Sequence, residues 1–409
     1  MSRAAFEALV LDAHLRQALV TVRSLGRRGL RAAALESFGE VPAFASRWCA
    51  RPFVCPAPVA TGAYLAYLEA LLASADVGVV IPSHDGTLAL LREHRARLEG
   101  RARLAIASEA ALAIAVNKPR TLAVAERLGI AVPRTVVVAR PAEVSETLRL
   151  IGLPAVVKPS ESWMATEAAR DRLGPRLVTT PGEAAQAAAA ITDLGGSALF
   201  QPLLTGRREA VSLLYAGGEI RARFAQWAKR TGPPLGGESV LRQSIAVPAD
   251  IGAASERLVR EIDLEGYSEV EFRRDAGGRP YLMEINPRLS ASVEIAVRAG
   301  VDFPTLLYRW AAGERVPTVT GYRSGGWMRH LRGDLMTTLA MVRGRGRPDL
   351  VTPGRAVLDF CVSFCRPMAY DYLDWRDPLP AVVATAGFAR AAVRAVVARG
   401  RAAIPRSPA

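Results

Sequence analysis

Glu271, Glu284 and Asn286 are the residues of this chain best spaced to do chemistry together. The stretch that holds them reads Glu271-Phe272-Arg273-Arg274-Asp275-Ala276-Gly277-Gly278-Arg279-Pro280-Tyr281-Leu282-Met283-Glu284-Ile285-Asn286-Pro287-Arg288. Apolar, strand-like runs at 270–272 and 281–285 flank a Gly-Gly turn, the mark of a β-hairpin. Side chains alternate faces along a strand, so Glu284 and Asn286 point the same way. Glu271, on the partner strand, can reach the same patch. Two carboxylates and an amide oxygen make a hard, oxygen-only pocket suited to Mg²⁺ (or Mn²⁺) and its phosphate oxygens. The bland alternative is a solvated polar face on an edge hairpin. The clustering of Glu-x-Asn-Pro-Arg speaks against it. Arg288, held by the preceding proline, can fork onto a phosphate or carboxylate.

A second signal lies in what is rare. Only three of the 53 basic residues are lysines: Lys118, Lys158 and Lys229. Where arginine fills nearly every basic position, a retained lysine suggests a site that needs a compact ammonium. Two further segments could hold substrate. The loop Gly232-Pro233-Pro234-Leu235-Gly236-Gly237-Glu238-Ser239, with Arg242 after it, is rich in backbone N–H and could bind an anion or an oxyanion; a long turn is the equal alternative. Ser83-His84-Asp85 follows a strand at the edge where open α/β sheets take ligands, although a lone histidine is more often structural.

The elements that must position these groups are legible in outline. A strand at 6–12, a helix at 15–27, a strand at 30–35, a helix at 64–73, a strand at 77–82 and a helix at 86–98 alternate as βαβα. That alternation predicts a small parallel sheet with helices on both faces. The first turn, Asp12-Ala13-His14-Leu15, has no G-x-G-x-x-G, so a Rossmann dinucleotide site is disfavoured. Asn117-Lys118-Pro119 opens a helix with Asn as its cap and Pro in the first turn; the helix ends at Gly129. The segment 130–138 follows, its Ile-Ala-Val-Pro leading into a strand, and then 152–159, a strand ending in Lys158. A helix at 184–191 and a strand at 198–202 come next. Two strands, 209–215 and 219–228, are joined by Gly217-Gly218. A helix at 253–262 then leads into the carboxylate hairpin. Residues 313–409 mix Gly, Pro and Arg with short helical runs. No internal repeat is evident.

These motifs resemble the ATP-grasp superfamily. Glu-Ile-Asn-Pro-Arg with an acidic residue thirteen positions earlier is similar to that family's metal-binding hairpin. The wording Asn286-Pro287-Arg288-Leu289-Ser290-Ala291-Ser292 is closest to the branch containing the carbamoyl-phosphate synthetase large subunit, and to a group of predicted ATP-dependent carboligases. The resemblance covers roughly 1–315. It implies an α/β and α+β architecture. A Rossmann-like pre-ATP-grasp domain (1–112) would be followed by an ATP-grasp domain (113–315, lid about 152–201) with an antiparallel-sheet core, and by a C-terminal extension (316–409) of unassigned role. It maps Lys118 and Lys158 onto the two phosphate-contacting lysines. Gln201, Pro202 and Leu203 fall on the hinge whose backbone reads adenine, with Gln201 in place of the usual Glu. Glu209 falls on the ribose-binding acid, a strand-start surface glutamate being an even alternative. The loop with Gly236, Gly237 and Arg242 falls where related enzymes close over the acceptor, Arg242 and Arg288 being the candidate catalytic arginines. His84 and Asp85 are candidate substrate residues. One departure stands out. The usual glycine-rich lid turn after Lys158 is replaced by 159–176 with Gly174 alone, leaving Ser160 and Ser162 to supply hydroxyls.

The activity implied is ATP-dependent ligation of a carboxylate to an amine (or thiol) through an acyl phosphate, with release of ADP and phosphate. The alternatives are bicarbonate- or carbamate-type carboligation, and a non-catalytic, ATP-binding regulatory protein. The implied partners are ATP, small carboxylates and amines; a homodimer is compatible. At 409 residues the chain has room for two or three domains, and its formal net charge is +14. A basic balance invites nucleic acid, but the arginines are spread along the chain with no nucleic-acid module, so none is expected. The local cluster at 390–406 reads as a solvated helix and tail that could touch an anionic surface. No membrane-spanning run and no signal-peptide layout are found. The scattered Cys49, Cys55, Cys361 and Cys365 argue against a disulfide framework or a zinc site. A cytoplasmic setting is expected.

Overall fold

The computed structural model describes residues 5–161, 163–165, 170–172, 174–234, 236–344 and 351–402, with side chains placed up to residue 390 except at 164, 165 and 170–172. Three sheets and their helices carry the fold. The N-terminal sheet is parallel, in the order Cys49–Val54, Ala32–Glu36, Phe6–Val10, Val77–Ile81, Arg103–Leu104. Its central strands read FEALV, AAALE and VGVVI. Such near-continuous apolar runs suit strands covered on both faces. Helices Arg16–Arg27, Thr61–Ser74 and Asp85–Glu93 supply the cover. The edge strand Cys49–Val54 escaped the sequence reading because it is mostly exposed and carries Arg51 and Pro52, without alternation. The helix expected over 86–98 is two helices, Asp85–Glu93 and Arg95–Glu99, broken at His94.

The second sheet is antiparallel and has its own small core. Its order is Arg176–Val178, Ala155–Pro159, Ala198–Pro202, Val136–Val138. Val157, Val178 and Phe200 of the sheet pack with Val144 of helix Val144–Ile151 and with Ala184 and Ala188 of helix Pro181–Thr192. Lys158 lies opposite Leu199, and Gln201 opposite Val156, so the lysine and Gln201 stand on the same face of this sheet.

The third sheet has seven strands: Pro280–Asn286, Gly266–Arg274, Arg208–Ala216, Glu219–Gly232, Glu238–Ile245, Trp327–Arg329, Ala369–Tyr370. All pairs are antiparallel except the last. The hairpin between 216 and 219 turns on Gly217 and Gly218, with φ of 59° and 77°. Positive φ at both central residues is what a tight hairpin of this twist requires and what a side chain resists. The last two strands come from the C-terminal extension. That segment therefore completes the large sheet, where the sequence reading saw only short helical runs. Mixed parallel and antiparallel layers are the α/β and α+β architecture expected. No helix among the described residues is long and apolar enough to cross a membrane.

Candidate active site

A cavity of about 420 Å³ opens where the three sheets meet, within the range of small-molecule sites. Its floor follows from strand register. Glu284 pairs with Glu271, Glu271 with Ala210, and Ala210 with Gln226. Cross-strand partners share a face, so two carboxylates and an amide stand in one row with a small alanine between them. A second row runs Asn286, Glu269, Ser212. The predicted hairpin is present, with an irregularity between Glu271 and Phe272 that lets Glu271 face Glu284. Glu271, Glu284 and Asn286 all line the cavity.

Cations face these carboxylates. Lys118 Nζ is 3.4 Å from Glu284 Oε2. Asn117 caps the lysine's helix as expected, accepting from Arg120 N, and Lys118 N donates to Ser160 O at 3.0 Å, which ties the two lysine segments together. Lys158 Nζ donates to Met283 O at 3.4 Å. Burial would raise the Glu284 carboxyl, but the charges of Lys118, Lys158 and Arg208 outweigh it and hold it below its ordinary value. Burial, with Lys118's charge added, pushes Lys158 down to about 8 against the pull of Glu284. Arg208 Nε donates to Glu271 Oε2 at 3.0 Å and Asn286 Nδ2 to Glu271 Oε1 at 3.1 Å.

Two carboxylates and one amide oxygen, with lysines behind them, fit a hard divalent cation that shares its remaining positions with phosphate and water. Among the described residues no group of three or more His, Cys, Asp or Glu side chains forms a metal cluster by itself. A cation here would rely on exogenous oxygens.

Other expected residues reach the cavity with local partners. Gln201, Pro202 and Leu203 line it; Gln201 Nε2 donates to Thr135 Oγ1 at 2.9 Å, and its carbonyl oxygen has no partner among the described residues. Glu209 lines it but accepts from Arg274 Nε at 2.7 Å. Gly236 and Gly237 line it, and the Gly237 carbonyl accepts from Arg208. His84 lines it as the cap of helix Asp85–Glu93, its Nδ1 accepting from Gly86 N at 3.1 Å. Three residues take other positions. Asp85 clasps Arg288 with both oxygens, at 2.5 and 3.0 Å; the arginine still lines the cavity, but it joins the N-terminal sheet to the hairpin instead of presenting a free fork. Arg242 does not line the cavity: it is fully buried and paired with Asp371. Ser160 Oγ donates to Ser197 O, and Ser162 lies outside the described residues.

The sequence reading gave no role to several polar cavity residues, among them Gln17, Arg208, Gln226 and Glu269, whereas Glu238 belongs to the loop already read as an anion site. Glu269 had a signal, since it lies two before Glu271 on the same strand face. Its Oε2 accepts from Gln226 Nε2 at 2.9 Å, and that amide also donates to Ser292 Oγ at 2.6 Å. Burial, then the charge of Glu271, raises the Glu269 carboxyl.

Comparison with known proteins agrees with this geometry. A family model described as ATP-grasp in the biosynthetic pathway with Ter operon matches residues 219–332. The D-alanine–D-alanine ligase of Stutzerimonas stutzeri (strain A1501) is 25% identical over 211 residues, 48% of this chain and 64% of that one. The chain thus spans less than two thirds of that relative's length. Biotin carboxylase from Campylobacter jejuni, solved with β,γ-ATP, aligns at a TM-score of 0.62 with 16% identity, covering 78% of this chain and 74% of that one. The L-amino acid ligase of Bacillus licheniformis aligns at 0.57 with 17% identity, covering 76% and 75%. With its parallel sheet, separate antiparallel sheets and carboxylate-bearing hairpin, the chain shares the fold of these solved enzymes, and its residues 219–332 are similar to an ATP-grasp family model.

Proposed function

We propose that this protein is an ATP-dependent ligase that joins a carboxylate to an amine through an acyl phosphate, releasing ADP and phosphate. One observation carries the reading: the cross-strand pair Glu271 and Glu284 shares a cavity with two of the chain's three lysines. The names of the relatives support it, since two of them are ligases. In this reading a carboxylate oxygen attacks the γ-phosphorus and the bond to the β–γ bridging oxygen breaks. The amine nitrogen then attacks the acyl carbon, the C–O bond to phosphate breaks, and the amine's proton passes to solvent. Lys118 and Lys158 hold the phosphates as compact charges. Gln201 to Leu203 offer the base their backbone, and Glu209 the ribose. Glu271, Glu284 and Asn286 would hold Mg²⁺, which would supply charge neutralisation on the transferred phosphoryl group. Positioning and charge do the rest, with no protein nucleophile.

The amine belongs at the far end of the same floor. Glu269 Oε2 and the unpartnered carbonyl oxygen of Gln226 are both acceptors there. The amide's orientation is set by the carboxylate its nitrogen serves. Gln17, which donates to Ser83 O at 2.6 Å, likewise leaves its carbonyl oxygen without a partner among the described residues. An ammonium group satisfies such acceptors, and a charge-assisted bond contributes roughly 1.5–3 kcal/mol. Glu269→Gln is therefore expected to raise KM for the amine at least about tenfold and leave KM for ATP within about twofold.

The test of the reading is nucleotide turnover by purified protein with ATP, Mg²⁺ and pooled amino acids and small carboxylates. ADP and phosphate released only in the presence of both substrates support it. Bicarbonate-dependent ADP release would point to carboligation instead. AMP and pyrophosphate would overturn the acyl-phosphate route.

Nucleotide binding should also carry a proton signature. A triphosphate beside Lys158 favours its charged form, so ATP binding above pH 8 takes up a proton, and affinity falls as pH rises through about 8, by up to about tenfold per pH unit. Titration calorimetry at alkaline pH in buffers of differing ionisation heat reads the uptake. Lys158→Met should remove it.

A further inference from the structure

We propose that the helical face formed by Leu331–Arg343 and Pro353–Val362 docks on an anionic lipid surface. The first of these helices is inverted. It buries Asp334, Thr337 and Thr338 and exposes Leu331, Met336, Leu339 and Val342. The cause lies on its inner side. Asp334 is the shared counter-ion of Arg230 and Arg329, at 2.5–2.7 Å, and Thr337 Oγ1 donates to Thr231 O. The helix is thus held to the sheet by polar contacts, and its apolar residues are left outside. The second helix packs beside it and buries only Ala356. Val357, Leu358 and, just beyond, Phe364 are exposed, each 47–54%. Twelve of the eighteen exposed large apolar side chains among the described residues fall between 331 and 382. A patch concentrated in this way marks an interaction surface.

Charge selects the occupant. Arg332, Arg343, Arg355 and Arg366 are exposed around these helices. The neighbouring acid, Asp359, is half-buried and faces Arg355 at 3.2 Å. A second copy seated by a two-fold would bring the same arginines against one another. Anionic headgroups would meet them with opposite charge while the leucines, valines and Phe364 enter the headgroup boundary, the mode of interfacial helices. Attachment would be peripheral, as no described helix can span a bilayer.

Cosedimentation of the full chain with vesicles of phosphatidylglycerol and phosphatidylcholine, beside vesicles of phosphatidylcholine alone, tests this. Binding is expected to the first and not the second. Leu339→Glu with Leu358→Glu should weaken it at least tenfold, and Arg343→Gln should weaken it and reduce its salt dependence, with thermal melting unchanged for both since these residues are exposed. No binding to the anionic vesicles overturns the proposal. Binding untouched by the leucine substitutions also overturns it, because the chain's overall positive charge would then be responsible. So does a dimer, seen by light scattering, that the leucine substitutions dissociate.

Discussion

Glu284→Gln is expected to lower ADP release by at least about a hundredfold, the scale on which removing one well-placed electrostatic group acts, while the protein still folds. Glutamine keeps the shape of the side chain and the strand pairing with Glu271. What it removes is the charge that Lys118 faces at 3.4 Å and that opposes the downward push on Lys158. Two consequences separate this from simple damage. The lysines, freed of their internal counter-charge, should bind ATP without Mg²⁺ at least as well as wild type does. The extra stabilisation that Mg²⁺ gives to the ATP complex, read as a shift in melting temperature, should largely vanish. ADP release that persists in the variant would sink the metal assignment and, with it, the phosphoryl-transfer reading of the hairpin.

Asp371→Ala should be the most damaging substitution outside the cavity. Asp371, from the C-terminal extension, is bracketed by Arg16 of the N-terminal helix, at 2.9 Å, and by Arg242 of the large sheet. Arg16 also reaches Glu238 of the cavity loop at 2.6 Å. All three members of the clamp are buried. Removing the carboxylate leaves two buried guanidinium groups without their shared partner, a loss of about 3–5 kcal/mol. Burial alone would raise the Asp371 carboxyl, but Arg242 and Arg16 hold it well below the usual carboxylate range. Its stabilising contribution is therefore complete at neutral pH. That contribution is lost as pH falls below about 4, where the unfolded chain takes up the proton first. Thermal melting of wild type between pH 7 and 3 should show that loss, and Asp371→Asn should start lower and show less of it. A variant as stable as wild type would mean the clamp contributes nothing.

The comparison of sequence with structure turns on range. Glu271, Glu284 and Asn286 were legible because they sit on one hairpin, where period-two alternation and a Gly-Gly turn decide which side chains share a face. Asn117-Lys118-Pro119 was legible because a helix cap is a local device. The parallel N-terminal sheet followed from strand and helix alternation. Glu269 was within reach of the same alternation, but Gln226 was not, because it joins the row only through pairing across a strand that lies between. Asp85 with Arg288, Arg242 with Asp371, and Arg16 with Glu238 were out of reach for the same reason. Each joins residues at least 129 positions apart, and nothing local in sequence says which arginine finds which acid. By itself the sequence determined most of the central elements, which side chains of the hairpin share a face, and the retained lysines. Only the tertiary structure decided which charges are neutralised internally and which still face the cavity, because ion pairing depends on distances that the chain sets only when its sheets close on one another.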